Sequence, residues 1–382
     1  MRFKVAKQDL EAALQVVNPS LGSGADLTGH YVFHRTGPDD AGKYGVEVKT
    51  VSDRLFSSCP VKAQVEEAGT KDSFTIEGWR LKKVLHHIPD AALTIGFNAD
   101  ESEALLRVGR FTQTFQSLQP DARYTWSKPL AAATVAATVA ADRLSQALGY
   151  ARHFVSANDS EQPELCACEI REGIVYATDK RSISLIRVAG MDESKLRVHG
   201  KDASSLMTFL GMCEGLDVEV LEHDTMLILR RGDGAVFGAM RFQASMPNIQ
   251  IGMDDGDQHR WTVLKQDLVS AIGLLTSGAA KEDNRLHLEM GADGDLLVSM
   301  LSATGKQTVM PLAVISKESD DEASDLPDGG FSVDHTNLAK VLSAWKDSEF
   351  TIGISLVSSR GYVRFTSEYE GDKYLTLFSW LY

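Results

Sequence analysis

The sequence predicts an α+β protein made of three copies of one domain, each with two helices packed on an antiparallel sheet. A segment that occurs three times, two recurring helical patterns and many short β-prone runs lead to this prediction. The chain has 382 residues, of which 43% are hydrophobic, and this length suits two or three domains. We expect the domains at residues 1–125, 132–252 and 258–382.

The repeated segment spans Val5–Leu14 and returns at Val139–Leu148 and Val263–Ile272. Its three versions read VAKQDLEAAL, VAADRLSQAL and VLKQDLVSAI. Repeats that build solenoids or propellers recur after about 20–50 residues, and these copies lie much farther apart. Each copy therefore marks the beginning of a separate domain.

Apolar residues in each copy fall at positions i, i+3, i+4 and i+7, the pattern of a helix with one buried stripe. A second stripe of the same kind follows in each domain. The first-helix stripes are Leu10, Ala13, Leu14 and Val17, then Leu144, Ala147, Leu148 and Ala151, then Leu268, Ala271, Ile272 and Leu275. The second-helix stripes are Leu81, Val84, Leu85 and Ile88, then Ala203, Leu206, Met207 and Leu210, then Leu338, Val341, Leu342 and Trp345.

Short β-prone runs separate the helices, with turns such as Asp293-Gly294 between neighbouring runs. Linkers are expected at 121–134 and 252–258, where the periodic patterns stop. The acidic run 317–325 is interpreted as a solvated loop rather than a partner site. The clearest predicted strands are His30–His34, Tyr44–Val48, Ile174–Ala177 and Leu296–Met300.

Composition limits the classes of function. The formal net charge of −14 argues against a surface covered with DNA-binding patches, but it allows one small basic surface. No run approaches the roughly 18 apolar residues of a membrane helix, and no signal-peptide core is seen, so we expect a cytoplasmic protein without a membrane partner. The four cysteines are too scattered for a disulfide framework or a zinc site, and Cys166 and Cys168 are expected to be buried strand thiols.

The predicted architecture suggests how the domains assemble. Helices on one face of each sheet leave the sheet edges available for joining domains. Three domains joined edge to edge form an arc with all the helices on one side. Two such arcs close into a ring when the first domain of one copy meets the third domain of the other, because two-fold closure satisfies every edge. The sequence therefore predicts a homodimeric ring lined by helices.

Four segments of the sequence carry motifs of one known family: residues 1–14, Val175–Leu185, Met246–Asn248 and Tyr374–Tyr382. In their order and spacing they resemble the bacterial sliding clamp family, the β subunit of DNA polymerase III. Val175–Leu185 resembles the family's A-T-D-x-x-R-L strand and turn, and Met246–Asn248 resembles its F-P-[DN] element. Residues 1–14 resemble its opening strand and helix, and Tyr374–Tyr382 its last strand. The resemblance implies that each chain forms half of a ring around double-stranded DNA, bound without regard to sequence. It also implies a processivity factor that tethers a DNA polymerase and needs an ATP-dependent clamp loader.

The chain departs from the family pattern in two of these segments. Arg181 and Ser182 stand where the family has a residue followed by arginine. Phe378, Ser379 and Trp380 replace M-P-[MV]-R, and Tyr382 is an additional residue. These departures indicate a divergent clamp of bacterial or bacteriophage origin, with changed partner specificity.

Basic residues recur on the helices, away from the apolar stripes. Each one alone fits an ordinary solvated side chain, but together they lie on the faces predicted to line the ring. Contacts from them to DNA phosphates would be independent of sequence, weak and sensitive to salt. A metal site at His86 and His87 is disfavoured, because adjacent residues point to different sides of a helix. The predicted DNA contacts are Lys7, Arg80, Lys82, Lys83, Arg143, Arg152, Lys265 and Lys340.

The family binds a peptide from each client protein in a hydrophobic pocket between domains two and three. A core role is an equal alternative for Ile183, Leu185 and Leu375, which alternate as half-buried strand residues do. The apolar tail needs something to cover it, and an extended client peptide is a suitable candidate. The resemblance places the partner-peptide pocket at Thr178, Asp179, Ile183, Leu185, Pro247, Leu375, Leu377, Phe378 and Leu381.

Motifs for catalysis are missing from the sequence. It has no glycine-rich phosphate loop, no nucleophile elbow and no metal-spaced carboxylate pair at a plausible site. We therefore expect no enzymatic activity and no cofactor. Two other classes are weighed against the clamp: a clamp-fold structural or decoy protein that does not load on DNA, and a metal-dependent nuclease. The absence of acidic clusters disfavours the nuclease.

Overall fold

The fold is α+β, with the order strand, helix, strands, helix, strands occurring three times along the chain. This order is the one that the repeated segment predicts. The computed structural model describes residues 1–69, 71–89, 95–99, 102–118, 127–156, 162–180, 182–192, 196–244, 246, 259–280, 284–319, 330–344, 351–357, 362–369 and 372–379.

The first third contains two helices, α1 (Lys7–Val17) and α2 (Gly78–His87). Its core is built on four phenylalanines, Phe3, Phe33, Phe74 and Phe97, whose ring centroids lie between 5.0 and 6.1 Å apart. The strands are β1 (Arg2–Val5), β2 (His30–Pro38), β3 (Tyr44–Val51), β4 (Leu55–Val61), β5 (Ala63–Glu67), β6 (Ser73–Glu77), β7 (Ile95–Ala99), β8 (Glu103–Val108) and β9 (Phe111–Gln116).

The middle third begins with a short helix, α3 (Ser127–Ala132), and continues with α4 (Ala141–Ala151) and α5 (Gly200–Gly211). Its strands are β10 (Thr134–Ala140), β11 (Ala167–Arg171), β12 (Ile174–Thr178), β13 (Ser182–Arg187), β14 (Leu196–His199), β15 (Asp217–His223), β16 (Met226–Arg231) and β17 (Val236–Met240).

The last third contains α6 (Lys265–Gly278) and α7 (His335–Ala344). Its strands are β18 (His259–Leu264), β19 (Arg285–Met290), β20 (Leu296–Leu301), β21 (Gln307–Leu312), β22 (Ser316–Ser319), β23 (Phe331–Asp334), β24 (Thr351–Val357), β25 (Tyr362–Tyr369) and β26 (Asp372–Ser379).

The predicted helical stripes form the buried faces of the helices. All twelve residues of the three first-helix stripes are at most 5% exposed. In the second helices most stripe residues are also buried, whereas Val84 and Met207 are half-buried and Trp345 lies outside the described residues. Because burying one leucine contributes about 1.5–3 kcal/mol, these stripes hold the helices on their sheets. The periodicity prediction is confirmed.

The chain divides into two compact units that cut across the thirds. One unit contains Met1–Ser145 and Glu193–Phe242, and the other contains Gln146–Asp192 and Gln243–Tyr382. In the first unit β4 pairs with β17, giving the strand order β10-β15-β16-β17-β4-β3-β2-β6 beside a second sheet, β5-β1-β7-β8-β9. In the second unit β13 pairs with β26 within the order β11-β12-β13-β26-β25-β24-β18-β22, beside the sheet β21-β20-β19-β23. Each long sheet therefore joins strands from two different thirds.

Two segments predicted as connections contain regular structure. The acidic run predicted as a loop begins inside β22, which pairs with β18 at the end of its sheet. Charged residues suit this place because an edge strand keeps one edge in water. Helix α3 occupies part of the predicted linker 121–134, and the linker 252–258 lies outside the described residues.

The cysteine prediction is confirmed for burial and, at Cys168, for the strand β11, whereas Cys166 comes just before that strand. Cys166 and Cys168 are buried and free, as are Cys59 and Cys213. Burial raises the pKa of the Cys168 thiol to about 12 and that of the Cys59 thiol to about 11, so both stay protonated at neutral pH. No helix within the described ranges is long and apolar enough to cross a membrane.

Candidate functional site

Two of the predicted DNA contacts lie in the interior of the fold. Lys7 is 5% exposed and Lys265 is 7% exposed. The Lys7 ammonium donates a hydrogen bond of 2.7 Å to the carbonyl of Ile88, just past the end of α2, and lies 3.6 Å from a carboxylate oxygen of Glu11. A cation at a helix C-terminus also interacts favourably with the helix dipole. Lys7 therefore ties the two helices together, and its burial gives no support to a role in DNA contact.

The basic residues of α2 are exposed, and two of them have partners. The Arg80 Nε lies 2.6 Å from a carboxylate oxygen of Glu77, and its guanidinium lies 5.3 Å from the centroid of the Trp79 ring. Lys82 donates a hydrogen bond to the side-chain oxygen of Asn18, and burial lowers the pKa of Lys82. Lys83 is exposed on the same helix. The helix thus keeps a basic surface beside its buried stripe.

The second unit brings together cations from two thirds of the chain. Arg152, just after α4, and Lys340, on α7, are both exposed. Burial lowers the pKa of the His153 imidazole, and the positive charges of Arg152 and Lys340 lower it further. His153 is therefore neutral at neutral pH and lies within electrostatic range of both cations. Arg143 is half-buried on α4.

The predicted partner-peptide residues converge on three neighbouring strands, β12, β13 and β26. Leu185 pairs with Leu375, and Ile183 pairs with Leu377. Ser182 pairs with Phe378. Thr178 is the last residue of β12, and Asp179 lies in the turn that leads to β13. Pro247 and Leu381 lie outside the described residues. Residues almost two hundred positions apart in sequence thus become neighbours in one sheet.

Thr178 and Asp179 shape the turn between β12 and β13. The Thr178 hydroxyl donates to the Ser182 carbonyl at 2.8 Å and accepts from the Lys180 N–H at 3.2 Å. The Asp179 carboxylate accepts from both the N–H and the hydroxyl of Ser182, each at 2.8 Å. Threonine and aspartate recur in such turns because their short side chains bond to nearby backbone groups. The T-D pair of the motif therefore has a structural role in this chain.

Lys180 provides a test of this turn, because its φ of 76° places a lysine in the left-handed region. That conformation costs a side-chain-bearing residue about 1–2 kcal/mol, and glycine avoids this cost but loses more entropy on folding. We expect Lys180→Gly to stabilise the protein by about 0.5–1 kcal/mol, measured as a rise in the thermal unfolding midpoint. Lys180→Ala keeps the Cβ and is the control. Equal midpoints for the two variants would contradict the role of strain.

One face of the β12–β13–β26 strands is apolar and partly open. Leu185 and Leu375 are fully buried, and Ile174, Tyr176 and Ile183 pack against them while remaining half-buried. The opposite face packs against Tyr150. Both alternatives weighed from the sequence therefore hold in part: Leu185 and Leu375 are core residues, and Ile183 reaches the surface.

Sequence reasoning missed Ile174 and Tyr176 as members of this surface. Their alternation along β12 is a usable signal, but only the pairing of β13 with β26 reveals which apolar residues meet. Within the described ranges, no group of three or more histidine, cysteine, aspartate or glutamate residues is placed to hold a metal ion.

The repeated unit, with its sheets continued from one third to the next, is the architecture of a DNA clamp. Several solved structures share this fold with the protein over the whole length of its chain. The DNA polymerase III subunit beta from Pseudomonas aeruginosa matches with a TM-score of 0.80 at 14% identity, covering 100% of both chains. The beta subunit of DNA polymerase from Streptococcus pyogenes matches with a TM-score of 0.77 at 16% identity, again covering 100% of both.

The DNA polymerase sliding clamp from Bacillus subtilis matches with a TM-score of 0.77 at 14% identity, covering 100% of this chain and 99% of the other. No protein-family model matches the sequence, and a comparison with curated proteins found no match. At these identities the similarity establishes the fold. The protein therefore has the fold of DNA polymerase III β subunits, as the sequence resemblance predicted.

Proposed function

We propose that the protein is a DNA sliding clamp, a homodimeric ring that encircles duplex DNA and tethers a replicative DNA polymerase. The observation that carries this proposal is the match of the complete chain, end to end, to sliding clamps. A fold alone does not define a function, so the proposal also draws on surfaces of this chain. They are the two exposed sheet edges, the exposed cations and the partly open apolar face.

The first surface for ring closure lies in the first third. Strand β9 ends its sheet, and beside it α2 and β9 enclose a groove of about 590 Å³. Phe111 and Trp79 line this groove and are 47% and 58% exposed. Exposed aromatic side chains beside an unpaired strand edge are typical of a surface that another chain covers.

The matching surface lies in the last third. Strand β21 ends its sheet, with Val309 47% exposed, and α6 packs against it. Leu274 on α6 is 61% exposed, the most exposed of the large apolar side chains within the described ranges. Pairing β9 of one copy with β21 of the other would continue the sheets across the interface and let Leu274 enter the Trp79–Phe111 groove. Two such contacts close a two-fold ring.

DNA would pass through the ring without contacts that depend on its base sequence. Of the exposed cations, Arg80 and Lys83 also line the groove proposed for ring closure. The phosphate contacts, which are independent of sequence, are therefore assigned to Arg152 and Lys340. The net charge of −14 keeps the remaining surface off DNA. Topological linkage, rather than tight binding, then holds the polymerase near the primer end by raising its effective concentration.

The protein's partners follow from this role. The apolar face of β12, β13 and β26 docks extended peptides of the DNA polymerase and of other clamp-binding proteins. An ATP-dependent clamp loader opens the ring. The protein acts without catalysis or a cofactor, as a processivity factor in the cytoplasm.

Retention on DNA tests the proposal. The protein is loaded on a nicked circular plasmid with a bacterial clamp loader and ATP, and then separated by gel filtration at high salt. We expect the protein to stay with the circular plasmid, because a closed ring cannot leave DNA that has no end. It should be lost when one cut linearises the plasmid, because the ring then slides off the end. Loss from circle and linear DNA alike would instead favour the clamp-fold structural or decoy protein.

The same preparation tests the cations. The double variant Arg152→Gln/Lys340→Gln should lower the slope of log affinity for short duplex DNA against log salt by about two, since each phosphate contact contributes about 0.9. The control Lys43→Gln/Lys317→Gln removes the same charge from exposed positions outside the proposed contacts. Equal slopes for the two double variants would exclude Arg152 and Lys340 from the DNA contact.

A further inference from the structure

We propose that Arg187 selects an acidic residue of the docked client peptide, placed about four residues from the peptide's apolar anchor. This inference rests on the proposed function, because it concerns the same peptide-docking face. It adds a specificity-determining residue, Arg187, that lies beyond the predicted pocket.

Register places Arg187 on the apolar face. In antiparallel strands, directly opposite residues point to the same side of the sheet. Ile174 pairs with Arg187, Tyr176 pairs with Leu185, and Leu185 pairs in turn with Leu375. Arg187 therefore shares one face with the apolar residues and lies at the end of the row Ile183, Leu185, Arg187.

The apolar part of this face is suited to an extended peptide. Ile183 and Tyr176 are half-buried and pack on the fully buried Leu185 and Leu375. The half-buried side chains offer shallow apolar contact that a peptide's alternate side chains can cover. The predicted pocket residues Ile183 and Leu185 belong to this face, so the new subsite continues the predicted one.

Two arginines lie on the charged part of this face, and they differ in whether a carboxylate is paired with them. The Arg171 Nε lies 3.1 Å from a carboxylate oxygen of Glu169, and its guanidinium lies 5.3 Å from the centroid of the Tyr176 ring. Glu169 therefore compensates the charge of Arg171. Arg187 is exposed and forms no ion pair with a carboxylate of the described residues.

Tyr176 connects the two arginines. Burial raises the pKa of its phenol, and the carboxylates of Glu172 and Glu169 raise it further, whereas the positive charges of Arg171 and, more weakly, Arg187 lower it. Both guanidinium groups are thus within electrostatic range of the same ring. A ligand lying over Tyr176 meets the exposed guanidinium of Arg187, and a carboxylate is the complementary group.

The spacing sets where the carboxylate belongs in the peptide. Ile183 and Arg187 are four residues apart on one strand, about 13 Å at about 3.3 Å per residue. An extended peptide lying along β13 rises by the same amount per residue. Its acidic side chain should therefore stand about four positions from the apolar residue that covers Ile183.

A peptide series tests this inference. Twelve-residue fluorescein-labelled peptides carry a fixed Leu-Phe pair in a serine background, and one Asp, Asn or Lys is moved through the remaining positions. Fluorescence polarisation gives their affinities for the wild type, for Arg187→Glu and for Lys317→Glu, an exposed strand cation outside this face. We expect Asp to be preferred over Asn by about three- to fivefold near the fourth position.

Charge reversal sharpens the result. Arg187→Glu should prefer Lys at the same position by a similar factor, while Lys317→Glu should behave as the wild type. Equal binding of Asp and Asn peptides, or a preference that Arg187→Glu leaves unchanged, would overturn the inference and leave peptide docking intact. If no peptide binds, the inference and the proposed docking face both fail. Ring closure is judged separately, by retention on circular DNA.

Discussion

Replacement of Leu274 by aspartate is expected to yield a folded monomer. Leu274 is 61% exposed in the single chain, so a polar side chain there costs little stability. In the closed ring it would enter the groove of Trp79 and Phe111, where an unpaired carboxylate costs several kcal/mol. Because 1.4 kcal/mol is a factor of ten, the dimer dissociation constant should rise about 100-fold or more. Sedimentation velocity at micromolar concentration measures this change.

A matched control separates the interface from a general effect of charge. Leu216 is 51% exposed in the connection between α5 and β15, away from both proposed ring-closing surfaces. Leu216→Asp adds the same charge and should leave the dimer mass unchanged. Leu216→Asp should keep the thermal unfolding midpoint of the wild type, and Leu274→Asp should still unfold in one cooperative transition, because the monomer stays folded. A Leu274→Asp protein that still sediments as a dimer would place the interface elsewhere.

Mixing two monomeric variants tests closure itself. Phe111→Asp damages the surface on the first third, as Leu274→Asp damages the one on the last third. In a mixed dimer both substitutions meet at one interface, and the other interface is wild type. The mixture should regain the mass of a dimer but not retention on circular DNA, because one contact remains open. If the mixture forms no dimers, the first and last thirds are not the interacting surfaces.

The helices were predictable from the sequence because the residues on the buried face of a helix recur with the period of the helix. Leu10, Leu144 and Leu268 occupy the same place in three copies of one segment, and each is at most 1% exposed. A position that must face a sheet accepts few residue types, so the pattern is visible in a single sequence. The same reasoning identified the strands of each third, since their alternation is also local.

Pairing across the thirds was not predictable from local pattern. The contacts of β4 with β17 and of β13 with β26 join segments far apart in sequence, and alternation says which face a residue takes but not which strand lies beside it. Lys7 shows the same limit for a side chain. The sequence around a lysine at the start of a helix is the same whether its side chain extends into water or is buried. Here the Lys7 ammonium is buried and donates a hydrogen bond to the carbonyl of Ile88.

Gly238 marks the junction of β4 and β17, and its replacement by alanine should be among the most destabilising small changes in the first unit. Gly238 pairs directly with Phe56. A Cβ built on Gly238 would lie 1.7 Å from the nearest carbon of the Phe56 ring, so the ring must leave its place. Phe56 is 2% exposed and belongs to a buried cluster with Val51, Ile228 and other apolar residues. We expect Gly238→Ala to cost about 3 kcal/mol.

The test compares a glycine that has no such neighbour. A Cβ on Gly232 meets no atom within 4 Å, so Gly232→Ala should change the free energy of unfolding by less than about 1 kcal/mol. Phe56→Leu removes the ring edge that obstructs the new methyl group. The double variant Gly238→Ala/Phe56→Leu should therefore be less destabilised than the sum of the single variants, and additive effects would show that the ring is not the obstacle.

Hydrogen exchange should locate the damage. The β4–β17 junction belongs to the first compact unit, whereas β13 and β26 belong to the second. In Gly238→Ala the amides of β4 and β17 should exchange faster, while those of β13 and β26 keep the wild-type rate. Such a variant would keep its peptide-docking face but lose the sheet that joins the first and middle thirds. Ring closure depends on the position of the first third. The Gly238→Ala variant should therefore also be lost from circular DNA while it still binds peptides.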